Sequence, residues 1–83
     1  MAIIESQVIE TYKRMEMIAF HIDTNNIEDN KIKVYVTNNG FDTTPIWEDG
    51  TVELLTNDLY YFTNETKTSQ KWGVKIKIEI INI

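Results

Sequence analysis

Few residues of this 83-residue chain have the types and spacing that chemistry needs. The single histidine, His21, lies between Phe20 and Ile22, with no cysteine anywhere in the chain and no serine motif beside it. Catalysis by histidine requires a positioned nucleophile or a second acid or base, so His21 reads as structural. Asp23, Asn25, Glu28 and Asp29 form an oxygen-rich run of the kind that suits a hard cation such as calcium. Ile27 stands where the third ligand of an EF-hand belongs, no glycine follows it, and no glutamate closes the loop. The run therefore reads as a solvated turn, and no metal is assigned.

Trp47, with Glu48, Asp49 and Gly50 after it, and the pair Tyr60 and Tyr61 are the second candidate. Flat aromatic faces beside carboxylates and amides suit sugars, so Trp47, Tyr60 and Tyr61 are candidate contacts for a carbohydrate or a protein partner. The competing expectation is that large aromatics of a small sandwich fill its core, and Trp47 and Trp72 are read that way. Glu48 and Asp49 do not make a hydrolytic pair, because neighbours in an extended segment point to opposite faces and cannot flank one bond. No constellation of acid, base and nucleophile appears, so no catalytic residue and no cofactor is assigned and the chain is read as non-enzymatic. Asn64-Glu65-Thr66 matches a glycosylation acceptor but reads as a turn, since Met1 to Glu5 lacks the basic start and apolar core of a secretory signal.

The elements that must position these residues are mostly strands. From Gly73 to Ile80 apolar and charged residues alternate without a break, the period-2 pattern of a half-buried strand. Lys31 to Thr37 repeats it, with Ile32, Val34 and Val36 on one face. Arg14 to Ile22 is apolar on both faces and reads as a central strand. Thr51 to Leu55 and Leu59 to Thr63 are read as strands joined by a tight turn at Asn57 and Asp58. Ile4 to Lys13 fits a helix or a strand, and a strand is favoured. Asp23 to Asn30, Asn38 to Pro45 and Asn64 to Lys71 are polar loops. The expected fold is a single all-β domain over residues 1–83, a small antiparallel β-sandwich or open barrel of about six strands.

Thirteen acidic against eight basic residues give a net charge of −5, which opposes a phosphate backbone, so nucleic acid is not an expected partner. No apolar stretch approaches the roughly 20 residues of a membrane span, so no membrane is expected either. Without cysteine there is no disulfide framework, and a chain of this length buries only about 60 to 65% of its unfolded surface, which makes oligomerisation a natural supplement.

Four pieces in order carry a family likeness: Val34-Tyr35-Val36-Thr37-Asn38-Asn39-Gly40, Pro45-Ile46-Trp47-Glu48-Asp49, Phe62-Thr63-Asn64-Glu65-Thr66-Lys67-Thr68, and Lys71-Trp72-Gly73-Val74. Over roughly residues 31 to 80 the chain resembles a domain of tail and baseplate-associated structural proteins from bacteriophages and prophages of Gram-positive hosts. The resemblance implies a structural or interaction protein with no catalytic residues, found in the virion or in the bacterial cytoplasm before assembly. Its implied partners are other virion proteins or a second copy of itself; the alternative is a carbohydrate-binding module contacting cell-surface sugars through Trp47, Tyr60 and Tyr61. On this reading the shared residues are fold determinants. Trp47 and Trp72 pack across the sandwich, Asn38-Asn39-Gly40 supplies a positive φ, and truncating Trp72 to alanine costs roughly 3 to 5 kcal/mol.

Overall fold

The alternation that ends the sequence becomes the longest strand. In the computed structural model, which describes residues 1–81, seven strands and one short helix form. The strands are β1 (Ala2–Glu5), β2 (Ile9–Thr11), β3 (Met17–Ala19), β4 (Ile32–Thr37), β5 (Glu48–Asp49), β6 (Leu59–Tyr61) and β7 (Trp72–Ile80), and the helix α1 spans Thr51–Asn57. β7 lies at the centre of the main sheet, with order β1-β7-β4-β5 and β2 also paired to β7. Every strand pairing is antiparallel. The expectation of a small antiparallel all-β fold holds, with seven strands rather than about six.

The register explains why the two alternating runs find each other. Ile32 lies opposite Ile80, Val34 opposite Ile78 and Val36 opposite Ile76, so the apolar sets of β4 and β7 share one face. Lys33, Tyr35 and Thr37 meet Glu79, Lys77 and Lys75 on the other. Slipping either strand by one residue would turn its whole apolar set to the wrong side. The inner face packs against the second sheet, β3 paired with β6, through one cluster of Ile32, Val34, Val36, Leu54, Tyr60, Phe62 and Val74.

Ile4 to Lys13 is extended, but in two pieces. From Glu5 to Ile9 the chain advances four positions while its partner, from Lys77 to Val74, advances three, so one extra residue is taken up as a β-bulge. Ser6 mends the ladder there: its N–H donates to the Ile76 carbonyl at 2.8 Å, and its hydroxyl oxygen accepts the Ile76 N–H at 2.9 Å.

Four expectations are corrected. Thr51 to Leu55 is not a strand but the body of α1, a two-turn helix too short for its sequence to display a helical period. Asp49 Oδ1 accepts the N–H and hydroxyl of Thr51 at its start, and Asp58 ends it in a left-handed conformation with φ of 59°. Arg14 to Ile22 is not a central strand, since only Met17–Ala19 is paired, on one side, and Met17 is 45% exposed. No glycine adopts a positive φ; Gly40 is instead required by close approach, because a Cβ there would lie 2.8 Å from the Lys75 side chain and 3.2 Å from the Gly73 carbonyl. Trp47 and Trp72 do not meet in the core, as both are half-buried at the periphery of the main sheet. Trp72→Ala should therefore cost about 1–2 kcal/mol in a urea titration, below the price of deleting a fully buried ring.

Candidate functional site

The segments quoted for their family likeness converge on a buried polar network. Residues 47–49 are extended, so Trp47 and Asp49 turn outward and Glu48 turns into the interior, where it is 9% exposed. Glu48 Oε1 accepts three hydrogen bonds, from the Tyr60 hydroxyl at 2.8 Å, the Thr63 N–H at 2.9 Å and the Thr63 hydroxyl at 2.9 Å. Its Oε2 accepts the Asn64 N–H at 3.1 Å. Asn38 continues the network, donating to the carbonyls of Met15 and Asn64 and accepting from Asn64 Nδ2 at 2.8 Å.

Asp42 holds the next loop in the same manner. Its carboxylate accepts the N–H of Thr68 and of Ser69, both at 2.8 Å, and the Asn39 side-chain amide at 2.9 Å. Asn39 Oδ1 in turn accepts the Thr37 hydroxyl at 2.6 Å and the Ile46 N–H at 3.0 Å. Three loops far apart in sequence are thus tied to one another from inside.

These bonds decide the charge of the acids. Burial pushes the Asp42 carboxyl up, but the hydrogen bonds from Ser69, Thr68 and Asn39 outweigh it and leave it well below the usual carboxylate range. Burial also raises Glu48, and the donors from Thr63, Tyr60 and Asn64 again bring the net shift down. The Thr51 donors lower Asp49. Tyr60 is raised, by burial first and then by its bond to Glu48. A carboxylate held ionised by four donors is a weak base, and the groups Glu48 binds are the backbone and hydroxyls of the loop it holds, so its bonds organise backbone.

The pH dependence of stability follows with a definite sign. Acids whose folded values are depressed contribute their full stability above the unfolded carboxylate range and lose it as pH falls through the folded values. Melting temperature should be level from pH 7 to about 5 and fall below about pH 4.5, where unfolded carboxyls begin to take up protons. Tyr60 has the opposite sign, adding a loss above about pH 10, where an unfolded tyrosine ionises first. Asp42→Asn should flatten the acid limb, read by thermal melts across pH.

The outer face is organised by lysines over rings. Lys77 Nζ sits 4.5 Å from the Trp47 ring centre and 5.3 Å from that of Tyr35, and Lys75 Nζ lies 5.9 Å from Trp47. Lys71 lies 5.6 Å from Phe41, and at the start of β7, away from that face, Lys67 lies 5.4 Å from Trp72. Each contact is a cation–π pair that shields an otherwise wet aromatic face. Lys75 also pairs with Glu5 at 3.1 Å and Lys71 with Glu10 at 3.3 Å.

The three rings named from sequence are not brought together. Trp47 lies on the outer face under Lys77. Tyr60 is buried, packed edge-on against Phe62 with centroids 5.8 Å apart, and offers no face to a ligand. Tyr61, its neighbour in β6, points to the other side and is 64% exposed. His21 stands on the surface with Nδ1 3.1 Å from Asp58 Oδ1, fastening the turn between α1 and β6. In the run from Asp23, the Asn25 N–H closes a turn on Asp23 Oδ1 at 3.1 Å. Asn64 donates its side-chain amide to Asn38 and to the Thr66 carbonyl, and its Oδ1 accepts the Thr66 N–H at 3.2 Å, so the side chain closes Asn64-Glu65-Thr66 on itself. Sequence reasoning missed Asp42 and the interior role of Glu48; the one available signal was their position among turn-forming Asn and Thr residues.

Comparison with protein-family models, with curated proteins and with solved structures gives no match to this chain.

Proposed function

We propose that this chain is a non-catalytic structural and interaction module that takes its place in a larger assembly through the exposed parts of its main sheet. The observation that carries this reading is where the polar groups are committed. Asp42, Glu48, Asn38 and Asn39, the acids and amides placed inside, are occupied with fixing loops, while apolar strand residues such as Ile3, Ile4 and Ile9 stand 58 to 61% exposed. Exposed apolar residues grouped on a sheet edge favour a protein partner. The resemblance of residues 31 to 80 to tail and baseplate-associated domains supports a phage or prophage particle as that assembly. The separation of Trp47, Tyr60 and Tyr61 weighs against the carbohydrate alternative, since no continuous stacking platform results.

A tagged copy, produced in cells in which particles are being assembled, should sediment with tails or baseplates in a density gradient. A chain that remains at the top of the gradient overturns the assignment.

A further inference from the structure

The two edges of the main sheet are built differently. The β5 edge is two residues long and both are acidic, with Glu48 turned in and Asp49 turned out. Such a short, charged edge does not accept another strand. The β1 edge is four residues, Ala2–Glu5, with no lysine and no proline, and it carries apolar groups on both faces. Ile3 faces outward and Ile4 inward, and each is 58% exposed. Apolar groups on both faces mark a strand meant to be covered on both sides and paired along both edges.

The ladder fixes which backbone groups are free. Ser6 donates to the Ile76 carbonyl and continues the β1–β7 register, so the even-numbered residues of β1 turn their N–H and C=O toward β7. Ile3 and Glu5 turn theirs to the open side. A second copy can pair there about a two-fold axis normal to the sheet only if residues of the same face lie opposite each other. Four registers satisfy this with a residue of β1 on the axis. Centring on Ala2 sets Ile3 against Met1, which lies outside the strand. Centring on Glu5 opposes two carboxylates. Centring on Ile4 sets Ile3 against Glu5 and runs Ala2 into Ser6, where the bulge begins. Centring on Ile3 sets Ile3 against Ile3 and Ala2 against Ile4, small against large, so that the inner row reads Ile78, Ile4, the partner's Ala2, the partner's Ile80 without a polar break.

We infer that the free edge of β1 is a two-fold dimer interface, in which a second copy of this chain pairs antiparallel with Ile3 on the axis. Charge is compatible, since Glu5, the one ionisable side chain on β1, is held by its own Lys75 at 3.1 Å. The partner also extends the apolar wall of the groove of about 290 Å³ that Ile4, Ile76, Ile78, Phe20 and Ile22 line beneath β1. The acidic β5 edge stops head-to-tail growth, so the pairing closes at two copies. A strand-to-strand contact lies at the small end of interfaces, below about 1,200 Å² in total, the class of weak and transient complexes. Added salt strengthens the dimer, because each copy carries a net charge of −5.

The inference rests on the reading of the chain as an assembly module and sharpens its partner. With no native cysteine, single-cysteine variants of the full chain report the register directly. Directly opposed, hydrogen-bonded residues have Cα atoms about 5.5 Å apart, within disulfide reach, so oxidised Ile3→Cys should give about tenfold more covalent dimer than Ile4→Cys or Glu5→Cys. Ile3→Lys should fold normally and remove the concentration-dependent dimer in light scattering. Preferred cross-linking at Ile4 or Glu5, a parent chain monomeric into the millimolar range, or a dimer indifferent to Ile3→Lys each overturns the inference. A monomer that still sediments with particles would sink the dimer alone; a dimer that joins no particle sustains it and sinks the assembly reading.

Discussion

Glu48→Ala is expected to lower the unfolding free energy by about 3–5 kcal/mol, the largest loss from any single polar substitution in the chain. The carboxylate is the sole side chain onto which the Tyr60 hydroxyl, both donors of Thr63 and the Asn64 N–H converge. Removing it leaves the buried Tyr60 hydroxyl and the part-buried donors of Thr63 and Asn64 without their acceptor, at about 1–3 kcal/mol for each that neither water nor protein satisfies. Small domains hold only about 5 kcal/mol or somewhat more in reserve, so the variant should show a measurable unfolded fraction at 25 °C. The measurement is a urea titration followed by tryptophan fluorescence, with the midpoint falling and the slope unchanged. Two controls separate bonding from bulk. Tyr60→Phe removes one donor and leaves Glu48 three, so it should cost only about 1 kcal/mol. Glu48→Gln keeps one acceptor oxygen but turns an amide toward backbone donors, placing it between the two. A Glu48→Ala variant within about 1 kcal/mol of the parent would mean that water replaces the carboxylate and that the loops are held by other contacts.

The part of the fold legible in the sequence was the part written in local alternation. β4 and β7 carry period 2 without interruption, and the pairing of their apolar sets follows from the need to share one buried face. β1 and β2 were ambiguous for a physical reason: a bulge shifts the alternation between them, and the exposure of Ile3, Ile4 and Ile9 blurs which face is inside. The site was less legible still. Glu48 meets Thr63 and Asn64 fifteen and sixteen positions away, and Asp42 meets Thr68 and Ser69 across twenty-six and twenty-seven. Nothing in a local window marks an aspartate or an asparagine as an interior acceptor rather than a turn former, since the same side-chain oxygen serves both. The tryptophans misled for the converse reason. Aromatic bulk argues for the core, yet lysine stems from β7 and the adjoining loop cover Trp47 and Trp72 well enough at the surface.

Leu54→Ala is expected to cost about 3–4 kcal/mol, toward the upper part of the range for a buried leucine, because the helix that carries it cannot settle into the space left behind. Leu54 is fully enclosed, while Val52 on the same short helix is 72% exposed, so burial of α1 rests mainly on one side chain with help from Leu55. Packing around it is tight, with Leu54 Cδ1 and Tyr60 Cδ1 each 3.0 Å from where a Cβ on Gly50 would stand. The ends of the helix are pinned independently. Thr51 Oγ1 accepts the Val34 N–H at 2.8 Å and donates to Asp49 at 2.6 Å, and Asp58 closes the other end with its N–H on the Leu54 carbonyl at 3.2 Å. Those ties hold the backbone in place, so most of the cavity persists instead of collapsing. Leu54→Met, which nearly conserves volume, should lose less than about 1.5 kcal/mol in the same urea titration. Were Leu54→Ala to lose less than about 1 kcal/mol, the polar ties at Thr51 and Asp58 would be yielding instead. α1 would then be a loop that happens to be wound rather than a wall of the core.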